Sequence, residues 1–491
     1  MALKVFSFLG TNDYIPCNYV FENKIKYENS KFFILALGEY LRQYKNNDIE
    51  LIILCTKEAE DNNLKDRKVL LDGKEETYEG LVTAIEKNSM LKNKYKVIYN
   101  IPFGTTKEET WSLFNILLNE INSDDEIVFD VTHGFRSLPL IAVVIANYAK
   151  YLYGVSLRGL YYGAFEKLGR AYEVKAMPIE NRNVDVFDLS SFNLLLDWTF
   201  AIDKYLSTGE IDKLNKLMKE TESRIETEDL GKEEINSFEE WIATLKDFSY
   251  SVGICDSNEI SRLGVKIKDG CNYAKKVANK LVPALDKAMI KIENKYEKYR
   301  PSNLVYNVNE TVKWCCEHNM IQQGYTLLRE NIITYVYDIL KFENSQIFNR
   351  ILNVKRITRD EASYILRDYI KNSLIRGKKE LEKLENYDSR YKNKNYRHKP
   401  YRVNIFSQNS ADVTENMVFE MIWNSEILND IYAIFKDIRL PRNVINHAGY
   451  VKYKNKVKTK GFSQKLKHIV NTFDKITELS YKGEEVEDNQ S

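Results

Sequence analysis

The chain has 491 residues, with 72 Lys and Arg against 71 Asp and Glu. This length predicts roughly two to four domains. Hydrophobic residues make up 44% and charged residues 29% of the chain, a composition that excludes a wholly disordered protein. The net charge of +1 excludes a strongly basic, histone-like binder but allows local basic patches.

Histidine is scarce, so any mechanism that needs an imidazole must use one of five residues. They are His133, His318, His398, His447 and His468. The six cysteines form no CxxC pair and no zinc-type Cys/His spacing. The amino-terminal apolar run is too short for a signal peptide, and the most apolar later stretch, 138–149, is too short to span a bilayer. These features predict a reduced cytoplasmic protein without a membrane segment or a metal site.

The first part of the chain alternates between strand-like and helix-like segments. Strands are predicted over Lys4–Leu9, Glu50–Cys55, Tyr95–Tyr99, Glu126–Asp130 and Leu157–Tyr162. Helices are predicted over Ser30–Tyr44, Tyr78–Ser89, Lys107–Asn122 and Leu138–Tyr151. Apolar strands separated by helices of this length indicate an α/β domain with a parallel sheet covered on both faces. A last hairpin is expected to pair Leu157–Tyr162 with Arg170–Ala176.

After Phe187 the strand signals fade and amphipathic helical patterns take over. Helices are predicted over Ser191–Leu206, Asn272–Tyr299, Thr311–Lys341 and Asn416–Ile438. We therefore predict an α/β domain over residues 1–185 and an all-helical region over 186–491. The helical region contains the segment 389–402, in which six Lys and Arg alternate with three tyrosines. Cations for phosphates and aromatic faces for bases suit a single-strand binder, although a solvated loop fits the composition equally well.

The first candidate site follows the fourth predicted strand, in the sequence Asp-Val-Thr-His-Gly-Phe-Arg-Ser over residues 130–137. Backbone N–H groups at a helix start attract anions, and Gly134 allows a tight turn. Thr132, His133 and Arg136 add side-chain donors for phosphate or ribose oxygens. A cap at the start of a helix is the plainer interpretation of the same residues.

Two other predicted strands end in similar glycine- and threonine-containing turns. Gly10, Thr11 and Asn12 follow the first strand, and Gly104 and Thr105 follow the third. Because ligands of parallel α/β sheets bind outside the carboxyl ends of the strands, these turns predict a polar crevice for a phosphate-rich ligand.

The second candidate site is the segment 440–449, which contains Arg442, Asn443 and His447. Pro441 is expected in the first turn of a helix. Arg442 and His447 then lie about 140° apart around the helix axis, so a shared site needs the long reach of the arginine or pairing across a dimer. Histidine can exchange a proton with a ribose hydroxyl while arginine stabilises a developing phosphorane charge, which is chemistry for metal-independent RNA cleavage.

Taken together with their domains, the two sites resemble those of the CRISPR-associated CARF–HEPN ribonucleases of type III systems. The stretch DVTHGFRSLP resembles the Asp-x-Thr-His-Gly signature of their sensor domain, and RNVINH matches their R-x4–6-H motif. The stretch from Trp314 to Glu330 resembles the helix typical of the second domain. The resemblance covers most of the chain, with little that matches between about residues 208 and 300.

This resemblance implies a Rossmann-like CARF sensor of cyclic oligoadenylate in the first half of the chain and an HEPN endoribonuclease, activated by that ligand, in the second half. Two subunits would pair as a homodimer or a higher homo-oligomer, with the activator bound across the two sensors. Arg442 would stabilise the transition state, His447 would act as general acid or base, and Asn443 would orient the phosphate. Single-stranded RNA would be cleaved to a 2′,3′-cyclic phosphate and a 5′-hydroxyl, with no cofactor.

The resemblance also assigns residues to the activator pocket and suggests the size of the ring. The expected contacts are Gly10, Thr11, Asn12, Gly104, Thr105, Thr132, His133, Gly134, Arg136, Gly163 and Ala164. Cyclic tetra-adenylate is the expected ring because it is common in the family. Some members slowly cleave their activator in the sensor, and Thr132 and His133 leave a weak ring nuclease activity open.

Two other function classes compete with this interpretation. In the first, the sensor controls a non-catalytic RNA- or protein-binding region, and Arg442 and His447 only bind phosphate. In the second, the chain is a dinucleotide or S-adenosylmethionine enzyme, but the first strand is not followed by G-x-G-x-x-G.

Overall fold

The fold is that of a computed structural model, which describes residues 3–22, 24–45, 48–71, 74–133, 138–222, 231–343, 358–376, 418, 422, 426–446 and 460–488. The chain divides into two compact units, Met1–Leu196 and Asp197–Ser491. The predicted boundary after residue 185 falls inside the last strand of the first unit, Asn183–Asp188.

The first unit contains a mixed sheet built around five parallel strands. Its strands in chain order are β1 (Leu3–Phe8), β2 (Cys17–Phe21), β3 (Ile25–Ser30), β4 (Ile49–Leu54), β5 (Arg67–Leu71), β6 (Lys74–Tyr78), β7 (Tyr95–Ile98), β8 (Glu126–Asp130), β9 (Ser156–Gly163) and β10 (Asn183–Asp188). Eight of them form one sheet in the order β3-β2-β10-β9-β8-β1-β4-β7, while β5 and β6 form a separate hairpin. Five neighbouring strands of this sheet, β9, β8, β1, β4 and β7, are parallel to one another, as the sequence predicts.

Helices cover both faces of this sheet. They are α1 (Phe33–Gln43), α2 (Lys57–Ala59, continuing as a π-helical turn over Glu60–Leu64), α3 (Leu81–Lys87), α4 (Lys107–Asn119), α5 (Leu138–Tyr153) and α6 (Ala171–Ala176). Val5 and Leu51 pack with α1 and α3 on one face, whereas Phe6 and Ile52 pack with α4 and α5 on the other. Because both faces of β1 and β4 are buried, these strands are continuous apolar runs rather than alternating ones.

The predicted hairpin is wrong in its second strand. Residues 171–176 form helix α6, and the antiparallel partner of β9 is β10, which pairs Val186 with Gly163. The helix forms because the Glu173 carboxylate accepts a hydrogen bond from Arg170 N at 2.8 Å, which satisfies a free N–H group at its start.

Every secondary-structure element described in the second unit is a helix. Its helices are α7 (Ser190–Thr208, which begins in the first unit), α8 (Asp212–Glu222), α9 (Lys232–Ile254), α10 (Ser257–Leu281), α11 (Leu285–Tyr296), α12 (Leu304–Glu317), α13 (Ile321–Glu343), α14 (Arg359–Arg376), α15 (Glu426–Asn446) and α16 (Lys460–Asp488). The predicted α/β domain followed by a helical region is therefore confirmed. In the described part of the chain, no helix combines the length and apolarity needed to cross a membrane.

Two long predicted helices are each divided in the structure. Pro283 separates α10 from α11 because proline lacks an N–H group and disfavours helical backbone before it. The other break, between α12 and α13, lies at Asn319, whose φ is 56°. Met320 N donates to Cys315 O at 2.9 Å across this turn, which closes the end of α12 as in a Schellman motif.

Candidate functional site

The carboxyl ends of β1, β8 and β9 bring several predicted site residues together. A Cβ atom placed on Gly10 would lie 3.6 Å from His133 Cβ, so the turn after β1 contacts the turn after β8. Gly163 N donates to Thr132 Oγ1 at 2.9 Å, which joins the ends of β8 and β9. Gly10, Thr132 and His133 thus share one edge of the sheet, as the strand order requires.

Asp130, the first residue of the predicted motif, anchors this edge together with Ser7, which the sequence analysis does not assign to the site. Its carboxylate accepts hydrogen bonds from Ser7 Oγ at 2.6 Å and from Thr132 N at 2.8 Å. Ser7 lies opposite Asp130 in the register of β1 and β8. Burial raises the pKa of Asp130 to about 6, and the bonds from Ser7 and Thr132 oppose that rise. A polar residue at the end of each of two apolar strands is the signal that points to this pair.

His133 presents a buried nitrogen at the same edge. Its Nε2 atom is buried and has no hydrogen-bond partner within the described part of the chain. Its ring lies against Tyr14 in an edge-to-face arrangement, with 4.6 Å between the ring centroids. Burial lowers the pKa of His133 to about 4, so the imidazole is neutral at physiological pH.

The turn after β1 is held by residues that sequence patterns do not identify. Asn63 Nδ2 donates to Gly10 O and to Asn12 O, both at 2.9 Å. Asn62 Nδ2 donates to Thr11 O at 3.0 Å. Both asparagines lie in the π-helical turn after α2, a rare structure that is often found at functional sites.

Gly104 and Thr105 lie apart from Gly10, Thr132 and His133 in the order of the sheet. They follow β7, which is separated from β1 by β4. Thr105 donates from both N and Oγ1 to the Glu109 carboxylate at 2.8 Å, and Thr106 caps α4 by accepting from Glu109 N at 3.1 Å. The threonines of this turn thus stabilise the start of a helix.

The remaining predicted pocket residues either lie within the sheet or outside the described residues. Gly163 is buried, and Ala164 is only 1% exposed. Ala164 N donates to Asp185 O at 3.0 Å, so its amide serves the pairing with β10. Gly134 and Arg136 lie outside the described residues.

The second candidate site is partly described and centres on Arg442 in α15. Pro441 lies inside this helix rather than in its first turn, so that prediction is wrong: the helix begins at Glu426. Arg442 and Asn443 are half-buried. His447 lies outside the described residues, as does the basic segment 389–402.

The Arg442 guanidinium lies among charged and polar neighbours from two helices. The Asn446 amide is oriented with its oxygen toward the Arg442 guanidinium, because this orientation satisfies both side chains. The oxygen accepts hydrogen bonds from Arg442 Nε at 3.0 Å and from Arg442 Nη2 at 3.2 Å. Burial and the cation of Arg329 lower the pKa of Arg442, and Glu330 opposes them. Arg329 Nη1 in turn donates to Glu330 Oε1 at 2.5 Å. Sequence reasoning did not assign Arg329, Glu330 or Asn446 to the site.

Two other histidines lie in the described residues, and neither is among the contacts of the two candidate sites given above. His318 is buried at the end of α12, with its ring centroid 4.1 Å from that of Trp314. His468 is exposed on α16. No group of three or more His, Cys, Asp or Glu side chains suited to a metal ion occurs in the described ranges.

Comparisons with known proteins find a family model that matches most of the first unit. Residues 4–166 match the family model described as the CARF domain of the CRISPR system endoribonuclease Csx1. The CRISPR-associated protein MJ1674 of Methanocaldococcus jannaschii is 25% identical over 284 residues, which cover 55% of this chain and 38% of that protein. The chain therefore spans well under half the length of this curated relative.

A solved structure of Enterococcus italicus Csm6 bound to cyclic hexa-2′-fluoro-hexa-dAMP is also similar. The match covers 97% of this chain and 94% of that one, with 10% identity and a TM-score of 0.40. The match to the Csx1 CARF model covers most of the first unit, whose Rossmann-like sheet precedes a helical region, and it supports the resemblance to CRISPR-associated CARF–HEPN proteins that the sequence motifs indicate.

Proposed function

We propose that this protein is an endoribonuclease of type III CRISPR defence that cyclic oligoadenylate activates. The observation that carries the proposal is the Csx1-type CARF domain over residues 4–166, whose sheet edge gathers Gly10, Thr132 and His133. The helical region would supply the nuclease as a HEPN domain.

The sensor edge suits a ligand made of phosphodiesters, riboses and bases. Backbone N–H groups at strand ends bind phosphate oxygens, and the neutral His133 imidazole offers a buried nitrogen that lacks a partner in the described part of the chain. Cyclic tetra-adenylate is the ring we propose, bound across the CARF domains of a homodimer.

The nuclease centre would use Arg442, Asn443 and His447. The ribose 2′-oxygen attacks the adjacent phosphorus, the bond from phosphorus to the 5′-oxygen breaks, and that oxygen leaves as a 5′-hydroxyl. His447 exchanges the proton, Asn443 orients the phosphate, and the Arg442 guanidinium stabilises the phosphorane charge. The half-buried position of Arg442 supports this role, because a partly desolvated cation acts more strongly on a nearby anion.

The test is cleavage of labelled single-stranded RNA in EDTA, with and without cyclic tri-, tetra- and hexa-adenylate. We expect cleavage by the wild-type protein with one of the rings, and a loss of at least about 100-fold in Arg442→Ala and His447→Ala. The exposed His468 of α16 provides a matched control, because His468→Ala should cleave normally.

The products also decide between this proposal and a non-catalytic regulator. A 2′,3′-cyclic phosphate and a 5′-hydroxyl are expected at each cut. If the ring only increases RNA affinity and no product forms, the protein is a binding regulator. If both variants cleave as the wild type does, Arg442 and His447 are not the active site.

A further inference from the structure

The backbone amide of Gly10 is occupied by a side chain of the same loop. Gly10 N donates to the Tyr14 hydroxyl oxygen at 2.7 Å. A Cβ atom on Gly10 would lie 3.1 Å from that oxygen and 3.6 Å from His133 Cβ. The absence of a side chain at Gly10 therefore lets the phenol, the amide and His133 meet at the end of β1.

The Tyr14 ring fills the space next to His133. It packs edge-to-face on the imidazole and lies 5.0 Å from the Phe32 ring between centroids. Tyr14 and His133 also line a small pocket together with Ser7, Phe32 and Leu81. The phenol thus contacts both the Gly10 amide and the ring of His133, whose buried Nε2 has no partner in the described part of the chain.

The backbone of this loop is fixed, whereas the phenol is not part of that anchoring. Tyr14 N donates to Tyr78 Oη at 2.9 Å, and Asn63 holds Gly10 O and Asn12 O. Displacement of the Tyr14 phenol from Gly10 N would therefore leave these backbone contacts in place.

We propose that the Tyr14 hydroxyl holds the place of a ligand oxygen on the Gly10 amide, and that a phosphodiester of the cyclic oligoadenylate displaces it. The inference rests on the proposed function of the sensor. Displacement breaks one hydrogen bond in the free protein, so the native Tyr14 weakens activator binding and sets the threshold for activation.

The test is calorimetric titration of the full-length Tyr14→Phe variant with cyclic tri-, tetra- and hexa-adenylate. Phenylalanine keeps the ring but cannot accept the bond from Gly10 N. We expect the dissociation constant to fall about three- to ten-fold, because a net hydrogen bond no longer has to be broken. Without ligand, the variant should also melt at a lower temperature than the wild type, since its Gly10 amide is left unsatisfied. The cyclic oligoadenylate should then raise the melting temperature of the variant by more than it raises that of the wild type.

Tyr27→Phe is the matched control. Tyr27 Oη donates to Gln43 Oε1 at 3.0 Å from β3, with four strands between β3 and β1, so this variant should bind as the wild type does. Equal or weaker binding by Tyr14→Phe, with normal binding by the wild type, overturns the inference about Tyr14. A wild-type protein that binds none of the rings instead contradicts the proposed function.

Discussion

At the scale of single residues, Asp130 links the stability of the sensor to pH. Its pKa in the folded protein is about 6, against about 3.9 for an unperturbed aspartate. The folded state therefore holds this proton more tightly than the unfolded chain. Its contribution to stability is complete below about pH 4 and is lost as the pH rises through about 6.

Asp130→Asn should reduce this pH dependence. The amide is neutral, and it can accept from Thr132 N and donate to Ser7 Oγ, the two partners of the carboxylate. As the pH rises from 5 to 7.5, the melting temperature of the wild-type sensor should fall further than that of the variant. We expect the difference between the two decreases to be roughly 2–6 °C. Thermal unfolding at both pH values measures this, with the exposed Asp124→Asn as a control for the loss of one charge. Identical pH dependence in wild type and Asp130→Asn would contradict the assignment.

Substitution of Asn446 should disturb the orientation of the Arg442 guanidinium while Arg442 itself stays in place. Its amide oxygen accepts two hydrogen bonds from the guanidinium, which fixes the direction of the remaining N–H groups. We expect Asn446→Ala to lower the single-turnover rate of RNA cleavage about ten-fold while RNA affinity changes little, because orientation affects the transition state more than binding. Asn471→Ala, at an exposed position on α16, should leave the rate unchanged. A purely structural role would instead lower the melting temperature and spare the rate of the folded protein.

At the scale of helices and strands, sequence patterns succeed where both faces of an element are buried. The predictions for β1, β4 and β8 match the structure within about one residue, because continuous apolar runs between turns have few other solutions. Strands β2, β3 and β10 were not predicted. They lie on the β9 side of the sheet. β3 has no fully buried position and β10 has one, so neither is the continuous apolar run that marks β1, β4 and β8.

The break between α12 and α13 was missed for a local reason, and it can be tested. Asn319 adopts the left-handed conformation, which only glycine takes without strain and asparagine tolerates. Asn319→Ala should lower the free energy of unfolding of the helical unit by about 1 kcal/mol, whereas Asn319→Gly should leave it equal or higher. Urea denaturation followed by far-ultraviolet circular dichroism measures both. If alanine and glycine behave alike, the turn does not constrain this residue.

At the scale of the whole molecule, the order of the motifs along the chain predicts the function better than any single motif does. Thr132 and His133 could be placed at a sheet edge from the sequence, because parallel strands end on the same side. Tyr14 and Asn63 could not, since their contacts with Gly10 depend on a loop and a π-helical turn whose paths no periodicity encodes. The Arg329–Glu330 pair near Arg442 likewise depends on the packing of α13 against α15.

The final prediction concerns the pairing of subunits, which the resemblance to CARF–HEPN ribonucleases implies for the proposed nuclease. If one cleft needs both motifs of a two-fold pair, an excess of Arg442→Ala subunits should inactivate wild-type subunits by forming mixed dimers. With the proteins mixed to exchange at a nine-fold excess, about one tenth of the wild-type subunits remain in wild-type pairs, so activity per wild-type subunit should fall about ten-fold. RNA cleavage at saturating activator measures this, with albumin at the same concentration as the control. Unchanged activity per wild-type subunit after demonstrated exchange would show that each chain cleaves alone.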